Sequence, residues 1–286
     1  MKKLRRRRRA NRSLGGDVTN IITLAFFGVF MALPLVYAIS NAFKPLDEIF
    51  MFPPRFFVRN PTTDNFKDLF LLMAQSWVPF TRYIFNTVFI TTVGTIGHVI
   101  IASMAAFVLE KHKFPGGATF FKIVIISLMF SPVVTAIPNY LTMARLGWVD
   151  SYFSLIVPAF AYPLGLFLMK QFMVTVPDSL LESARIDGAS EFRTFWQIAM
   201  PCVKPGWLTL IIFSFQQLWG ITGGTFIYSE EKKTLPFALN QILLGGFARA
   251  GIGAAVILMM MIVPIVMFMV TQSSIIQTMA TSGMKE

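Results

Sequence analysis

The chain has 286 residues, of which 55% are hydrophobic and only 14% charged, with a mean hydropathy of +0.64. A soluble domain carries about a quarter charged residues, so these values exclude an ordinary soluble protein and point to a membrane protein. The net charge of +11 owes much to Lys2, Lys3, Arg5, Arg6, Arg7, Arg8, Arg9 and Arg12. These run straight into an apolar stretch without interleaved aromatics, so no nucleic-acid partner is expected.

In chain order, the basic stretch 1–17 reads as a cytoplasmic tail obeying the positive-inside rule and attracted to anionic lipid. The apolar stretch that follows, 18–43, is too long for a secretory signal and contains Pro34, so it is expected to be a span. A span needs about 20 mostly apolar residues, because hydrocarbon offers the backbone no water to bond. Five more stretches qualify: 83–109, 118–137, 152–169, 207–227 and 250–271. Their apolar runs are continuous, unlike the alternating strands of outer-membrane barrels. The expected fold class is all-α, a polytopic protein with six transmembrane helices in one domain, 18–286, embedded in the lipid bilayer. Six spans put both termini in the cytoplasm, although beyond the tail the Lys and Arg residues divide almost evenly between the two sides.

The first outer connection holds Pro45, Pro53, Pro54 and Pro61, so it should begin extended, with a short surface helix after Pro61. Pro132 and Pro138 should bend the end of the third span. The third outer connection, 228–244, is polar at Glu230, Glu231, Lys232 and Lys233 and then apolar.

The span interiors contain no Asp or Glu, the groups that proton- or sodium-driven transporters keep at mid-membrane. His98 is the one imidazole in a span and reads as a helix-to-helix hydrogen-bond partner. The chain has no phosphate-binding G-x-x-x-x-G-K-[ST] loop, no H-E-x-x-H and no G-x-S-x-G, so no catalytic residue, bound metal or cofactor is expected. The single Cys202 allows no internal disulfide and reads as a buried small residue. Energy for uphill transport would then have to arrive from another protein, through a loop.

The loop between the fourth and fifth spans, 175–205, carries the signals for that. Ser179 and Glu182 have capping-box spacing, predicting a helix from about Leu180. Gly188 suits the left-handed position after it. A second helix should start near Ser190 with Phe192, Phe195, Trp196 and Ala199 on a packing stripe, stopped by Pro201.

Glu182, Ala184, Asp187, Gly188, Ala189, Phe195, Ile198, Pro201 and Pro205 also follow the Glu-Ala-Ala motif of permease subunits of ATP-binding-cassette (ABC) importers. The sequence resembles the carbohydrate branch of that family, in particular permeases like the second one of the bacterial maltose system. The likeness extends to Phe43-Lys44-Pro45, Asp64-Asn65-Phe66, Asn86-Thr87, Lys113-Phe114-Pro115-Gly116, Ile137-Pro138-Asn139-Tyr140, Gln171-Phe172 and Thr234-Leu235-Pro236. Ser183 stands where the motif usually has alanine. Gly220 follows Trp219 where many relatives carry Asn.

The resemblance implies a type I ABC importer permease in a bacterial plasma membrane, moving a carbohydrate inward by alternating access. It implies a second permease, two ATPase subunits that hold ATP and Mg and dock on the 179–188 helix, and an extracytoplasmic sugar-binding protein. Coupling would fall to Glu182, Ser183, Ala184, Asp187, Gly188 and Ala189. The outer connection 228–244 would reach toward the binding protein, and Gly283-Met284-Lys285-Glu286 resembles tails that touch the ATPase pair. A sugar path needs hydrogen-bonding groups and an aromatic face, which makes Asn86, Gln216, Gln217 and Trp219 its candidate lining. The alternatives are a secondary transporter or channel working without ATP, and an ABC importer of a non-sugar solute such as a phosphorylated polyol.

Overall fold

A computed structural model of the chain describes residues 14–246 and 249–282. The tail as far as residue 13 and the segment Gly283-Met284-Lys285-Glu286 lie outside the described residues. No strand occurs among the described residues. The helices are α1 (Leu14–Ala42), α2 (Leu46–Ile49), α3 (Asp64–Ala74), α4 (Phe80–Lys111), α5 (Gly117–Ser127), α6 (Pro132–Arg145), α7 (Phe153–Phe160) and α8 (Pro163–Met173). There follow α9 (Asp178–Ile186), α10 (Glu191–Thr194), a π-helical turn (Phe195–Ala199), α11 (Met200–Cys202), α12 (Lys204–Trp219), a 3-10 turn (Glu230–Lys232), α13 (Leu235–Leu243) and α14 (Ala250–Ser282).

Among the described residues, four stretches are long and apolar enough to cross a membrane: Gly15–Ala42, Phe80–Lys111, Phe153–Met173 and Ala250–Gln272. The expected six are reached only when each of two bent pairs counts as a span. The third predicted span breaks at 128–131, and its two helices meet at 111°. The break falls where Ser131 caps α6 by accepting from the Val133 N–H and Pro132 starts the new helix, since proline suits a first turn and resists an interior one. The fifth predicted span ends at Trp219, eight residues early, because Gly220, Gly223 and Gly224 give the helix no reason to continue. Thr234 Oγ1, donating toward the Ile221 and Thr222 carbonyls at 2.9 and 3.2 Å, fixes the chain beyond it. The apolar half of the connection 228–244 is the helix α13, with Leu235, Leu239 and Ile242 buried.

The first helix starts at Leu14, so the last residues of the predicted tail are helical. The connection after it is extended only beyond the single turn α2, and the surface helix after Pro61 is α3.

The chain divides into two units. In the unit formed by residues up to Leu69 together with Gly246–Leu258, the end of α1 is spliced by side chains. Buried Asn65 donates its amide to the Ala42 and Lys44 carbonyls at 2.9 and 2.8 Å. Buried Lys44 donates to Asn41 Oδ1 and the Arg55 carbonyl, and the Phe43 and Phe66 rings pack at 5.2 Å.

In the other unit α4 is the axis, packed on α7, α8 and α12. His98 sits at its middle, with Nδ1 2.7 Å from Ser214 Oγ on α12 and Nε2 3.3 Å from the Tyr162 carbonyl ahead of α8. It is the helix-to-helix partner the sequence suggested. Gly165 makes this approach possible, since a Cβ there would lie 2.0 Å from His98 Nε2.

Candidate coupling site

The loop between α8 and α12 is mounted on the Lys111 end of α4. Lys111 Nζ donates to the Val176 carbonyl at 2.6 Å and to the Asp178 carboxylate at 2.8 Å. That bond to Lys111 holds the Asp178 carboxyl below its ordinary range. His112 Nε2 lies 3.4 Å from Glu191 Oε2. Arg185 bonds the same Glu191 twice, Nε to Oε1 at 2.8 Å and Nη2 to Oε2 at 3.2 Å, joining α9 to α10 across the turn. Exposed ion pairs contribute about 0–1 kcal/mol each, so the main fixture is apolar. Leu181 enters the buried cluster of Phe107 from α4, Met173 and Val176 from the α8 end, and Phe195 and Ala199 from the π turn.

Helix α9 does not begin with the predicted capping box. It opens two residues earlier, at Asp178, with Pro177 at the cap position in extended conformation and no side-chain cap bond. Ser179 lies inside the first turn, where its carbonyl accepts from Ser183 Oγ at 2.9 Å. Pro177 presets the backbone angle and Asp178 complements the helix N-terminus, leaving Glu182 free on the surface.

The end of α9 is as the glycine suggested. Gly188 has φ +80°, its N–H donates to the Arg185 carbonyl at 3.0 Å, and the Ala189 N–H donates to the Ala184 carbonyl at 3.0 Å. This is a Schellman closure. Nothing lies within 4 Å of a Cβ built on Gly188, so backbone conformation rather than space demands glycine.

Ser190 caps α10 by accepting from the Arg193 N–H. Pro201 does not stop the helix it follows, which continues to Cys202. A proline cannot donate to the carbonyl four residues back, and the π-helical turn just before it absorbs the mismatch. Of the predicted stripe, Phe195 and Ala199 are buried and Trp196 packs on the cluster. Phe192 is 67% exposed and touches only the edge of the stripe, at the Trp196 ring. Cys202, expected to be buried, is exposed.

Leu181 and Ala184 form the inner face of α9. Ser179, Glu182, Ser183 and Ile186 share the opposite face and are exposed. Ile186, at 85% exposure, is the residue the sequence reading did not single out. Its signal was an apolar side chain off the Leu181 and Ala184 stripe.

The candidate path residues separate. Asn86 is fully buried: its amide donates to the Glu231 and Lys233 carbonyls, both at 2.8 Å, and its oxygen accepts from the Tyr152 hydroxyl at 2.7 Å. Trp219 is 7% exposed and donates its ring N–H to the Met260 carbonyl at 3.3 Å. Pro264 inside α14 cannot donate to that carbonyl, so Trp219 supplies the missing donor. Gln216 and Gln217 remain exposed on α12, on one stripe with Phe213.

At this Tyr83 end of α4 the connection before α13 is tied down throughout. Tyr83 donates to Glu230 at 2.8 Å, and Thr87 Oγ1 accepts from the Leu235 N–H at 2.7 Å. Asp150, at φ +57°, accepts from the Tyr228 and Ser229 N–H groups at 3.0 and 2.9 Å, from the Ser229 hydroxyl, and from Lys232 at 3.1 Å. Partial burial would raise its carboxyl pKa, but these donors outweigh that and hold it well below the usual range.

Residues 98–278, which contain the whole anchored loop, match the family of binding-protein-dependent transport system inner membrane components. The chain belongs to this family. It is a multi-pass transport permease, and a secondary transporter or channel is set aside. It is 33% identical over 235 residues to Protein LplC of Bacillus subtilis (strain 168), covering 80% of this chain and 76% of that protein. It is 31% identical over 180 residues to the sn-glycerol-3-phosphate transport system permease protein UgpE of Yersinia enterocolitica, covering 63% of this chain and 60% of that protein. It is 28% identical over 227 residues to the polygalacturonan/rhamnogalacturonan transport system permease protein YtcP of Bacillus subtilis, covering 77% and 76%. A chain of a bacterial ABC transporter involved in the import of the acidic polysaccharide alginate superposes with a TM-score of 0.75 at 21% identity, covering 93% of this permease and 99% of that chain. The all-α ABC importer permease architecture expected from the sequence is therefore its fold.

Proposed function

We propose that this permease carries a carbohydrate into a bacterial cytoplasm as one half of an ATP-driven importer. In this reading α9 receives the motion of the ATPase subunits. The observation that carries it is a helix whose inner face is buried and anchored while its outer face, with Glu182, Ser183 and the bare Ile186, is exposed and packs on no other element among the described residues. A polar helix face with one exposed isoleucine suits a cleft on another protein better than lipid or water. Ala184 holds α9 down, and Asp187, Gly188 and Ala189 make the turn that presents it.

The expected assembly has a second permease, two ATPases holding ATP and Mg, and an extracytoplasmic binding protein, with both termini of this chain cytoplasmic. Closure of the ATPases would push on α9, and Leu181 would pass the push to Phe107 of α4 and so to the spans. Such a change biases two rigid arrangements rather than bending one. Gln216 and Gln217 are the polar groups of α12 left free to face a solute, whereas Asn86 and Trp219 are occupied within the chain.

Carbohydrate as the solute is supported by the relative named for polygalacturonan and rhamnogalacturonan and the fold neighbour involved in alginate import. The relative named for sn-glycerol-3-phosphate favours a second reading, a phosphorylated polyol. Mass spectrometry of the solute bound to the cognate binding protein decides between them. For coupling, the test is ATPase stimulation by the binding protein in the reconstituted complex. Glu182→Ala and Gly188→Val should both lower it, and unchanged stimulation in both would sink the assignment.

A further inference from the structure

A continuous groove crosses the corner between α4 and α5. Its apolar part, a cavity of about 630 Å³, is lined by Ile101, Met104 and Val108 of α4 and Phe120 of α5. Its polar part, about 470 Å³, is lined by Glu110, His112 and Lys113. Leu109, Phe114 and Pro115 line both, so the two form one surface. Met104, Val108, Phe114 and Phe120 are between 43% and 51% exposed, as side chains of a span facing hydrocarbon would be.

The charges at the polar end leave one cation over. Glu110 is bonded by Lys170 at 2.5 Å. His112 faces Glu191 at 3.4 Å. Lys111 is held by Val176 and Asp178. Lys113 is exposed, and among the described residues no carboxylate lies within ion-pair distance of it. It adds to the field on Asp178, whose carboxylate Lys111 already engages. An apolar trough ending at an uncompensated ammonium fits an amphiphile with an anionic head.

We propose that this groove holds an anionic glycerophospholipid, its phosphate on Lys113 and one acyl chain along Val108, Met104 and Ile101. The headgroup would sit against His112, whose other neighbour is Glu191 of the coupling loop, so the bound lipid would brace the mount of α9. A helix of the second permease is the competing occupant of the trough, and the variants below tell the two apart.

The test is native mass spectrometry of the full-length chain in detergent, with phosphatidylglycerol or phosphatidylcholine added at equal concentration. Wild type should retain phosphatidylglycerol about fivefold better, the preference one lysine gives near anionic lipid. Lys113→Gln should abolish the preference without reducing total lipid retained. Val108→Trp, which fills the trough at an exposed position, should reduce retention of both lipids. Retention of the preference in Lys113→Gln would overturn the proposal, as would displacement of the lipid by inorganic phosphate, which would mean a simple anion site. So would a Val108→Trp chain that keeps its lipid and loses only its association with the second permease.

Discussion

The two ends of α4 are built on opposite rules. At the Tyr83 end, the polar groups of Tyr83, Asn86 and Thr87 are bonded within the chain, to the connection before α13 and to Tyr152. At the Lys111 end, the loop is anchored from beneath by Lys111, His112 and Leu181, while the outer face of α9 is exposed, with no other element packed on it among the described residues. Both ends carry residues that the sequence marked for function. Saturation inside the chain marks a scaffold, and a fixed element with one vacant face marks a surface meant for another molecule.

The most severe way to probe the saturated end is Asn86→Leu. It leaves the Tyr152 hydroxyl and the Lys233 carbonyl without these partners and the Glu231 carbonyl with Arg82 alone, at up to about 1–3 kcal/mol for each group left unsatisfied away from water. The thermal midpoint of the detergent-solubilised chain should fall by more than in any other variant considered. A midpoint equal to wild type would remove the scaffold reading of that end. Gly188→Val comes next. The left-handed turn costs an ordinary residue about 1–2 kcal/mol and a β-branched one more, so the presentation of α9 should fail. The expected result is lost ATPase stimulation with a modest fall in midpoint, and Gly188→Asn should recover much of the stimulation.

Asp150 gives a smaller, pH-dependent effect. Its folded carboxyl pKa is depressed, so its contribution is complete above the unfolded value of about 4 and is lost as pH falls through the depressed folded value. Resistance of the 226–232 connection to proteolysis should be level from pH 7.5 to about pH 5 in wild type. Asp150→Asn should weaken that resistance at every pH and remove its decline in acid. The smallest effect belongs to Gln217→Ala, which should change the transport KM for the solute by a few fold at most and leave the midpoint alone, because Gln217 is exposed.

Much of this contrast was legible in the sequence, and the gaps have physical causes. Apolar run length gave the spans, Gly188 gave the turn, and Ser190 gave the second helix of the loop, because each depends on neighbours a few residues away. The breaks at 128–131 and after Trp219 were not legible, since run length does not say where the backbone exchanges helical partners for side-chain ones. Ser179 and Glu182 had capping spacing, yet Pro177 took the cap position and the contact between Lys111 and Asp178 fixed the start from 67 residues away. Asn86 and Trp219 looked like path residues because their type suits a sugar. Their use depends on carbonyls 145, 147 and 41 residues distant in sequence, which no local pattern reports.

The central claim is that the bare face of α9 is where an ATPase subunit docks, and Ile186→Asp addresses it most directly. Binding-protein-stimulated ATPase activity of the reconstituted complex should fall about tenfold or more, the scale of an interface hot spot. The thermal midpoint of the isolated chain should stay at the wild-type value, and Ile186→Leu should restore activity. Full stimulation in the Ile186→Asp complex would contradict the account.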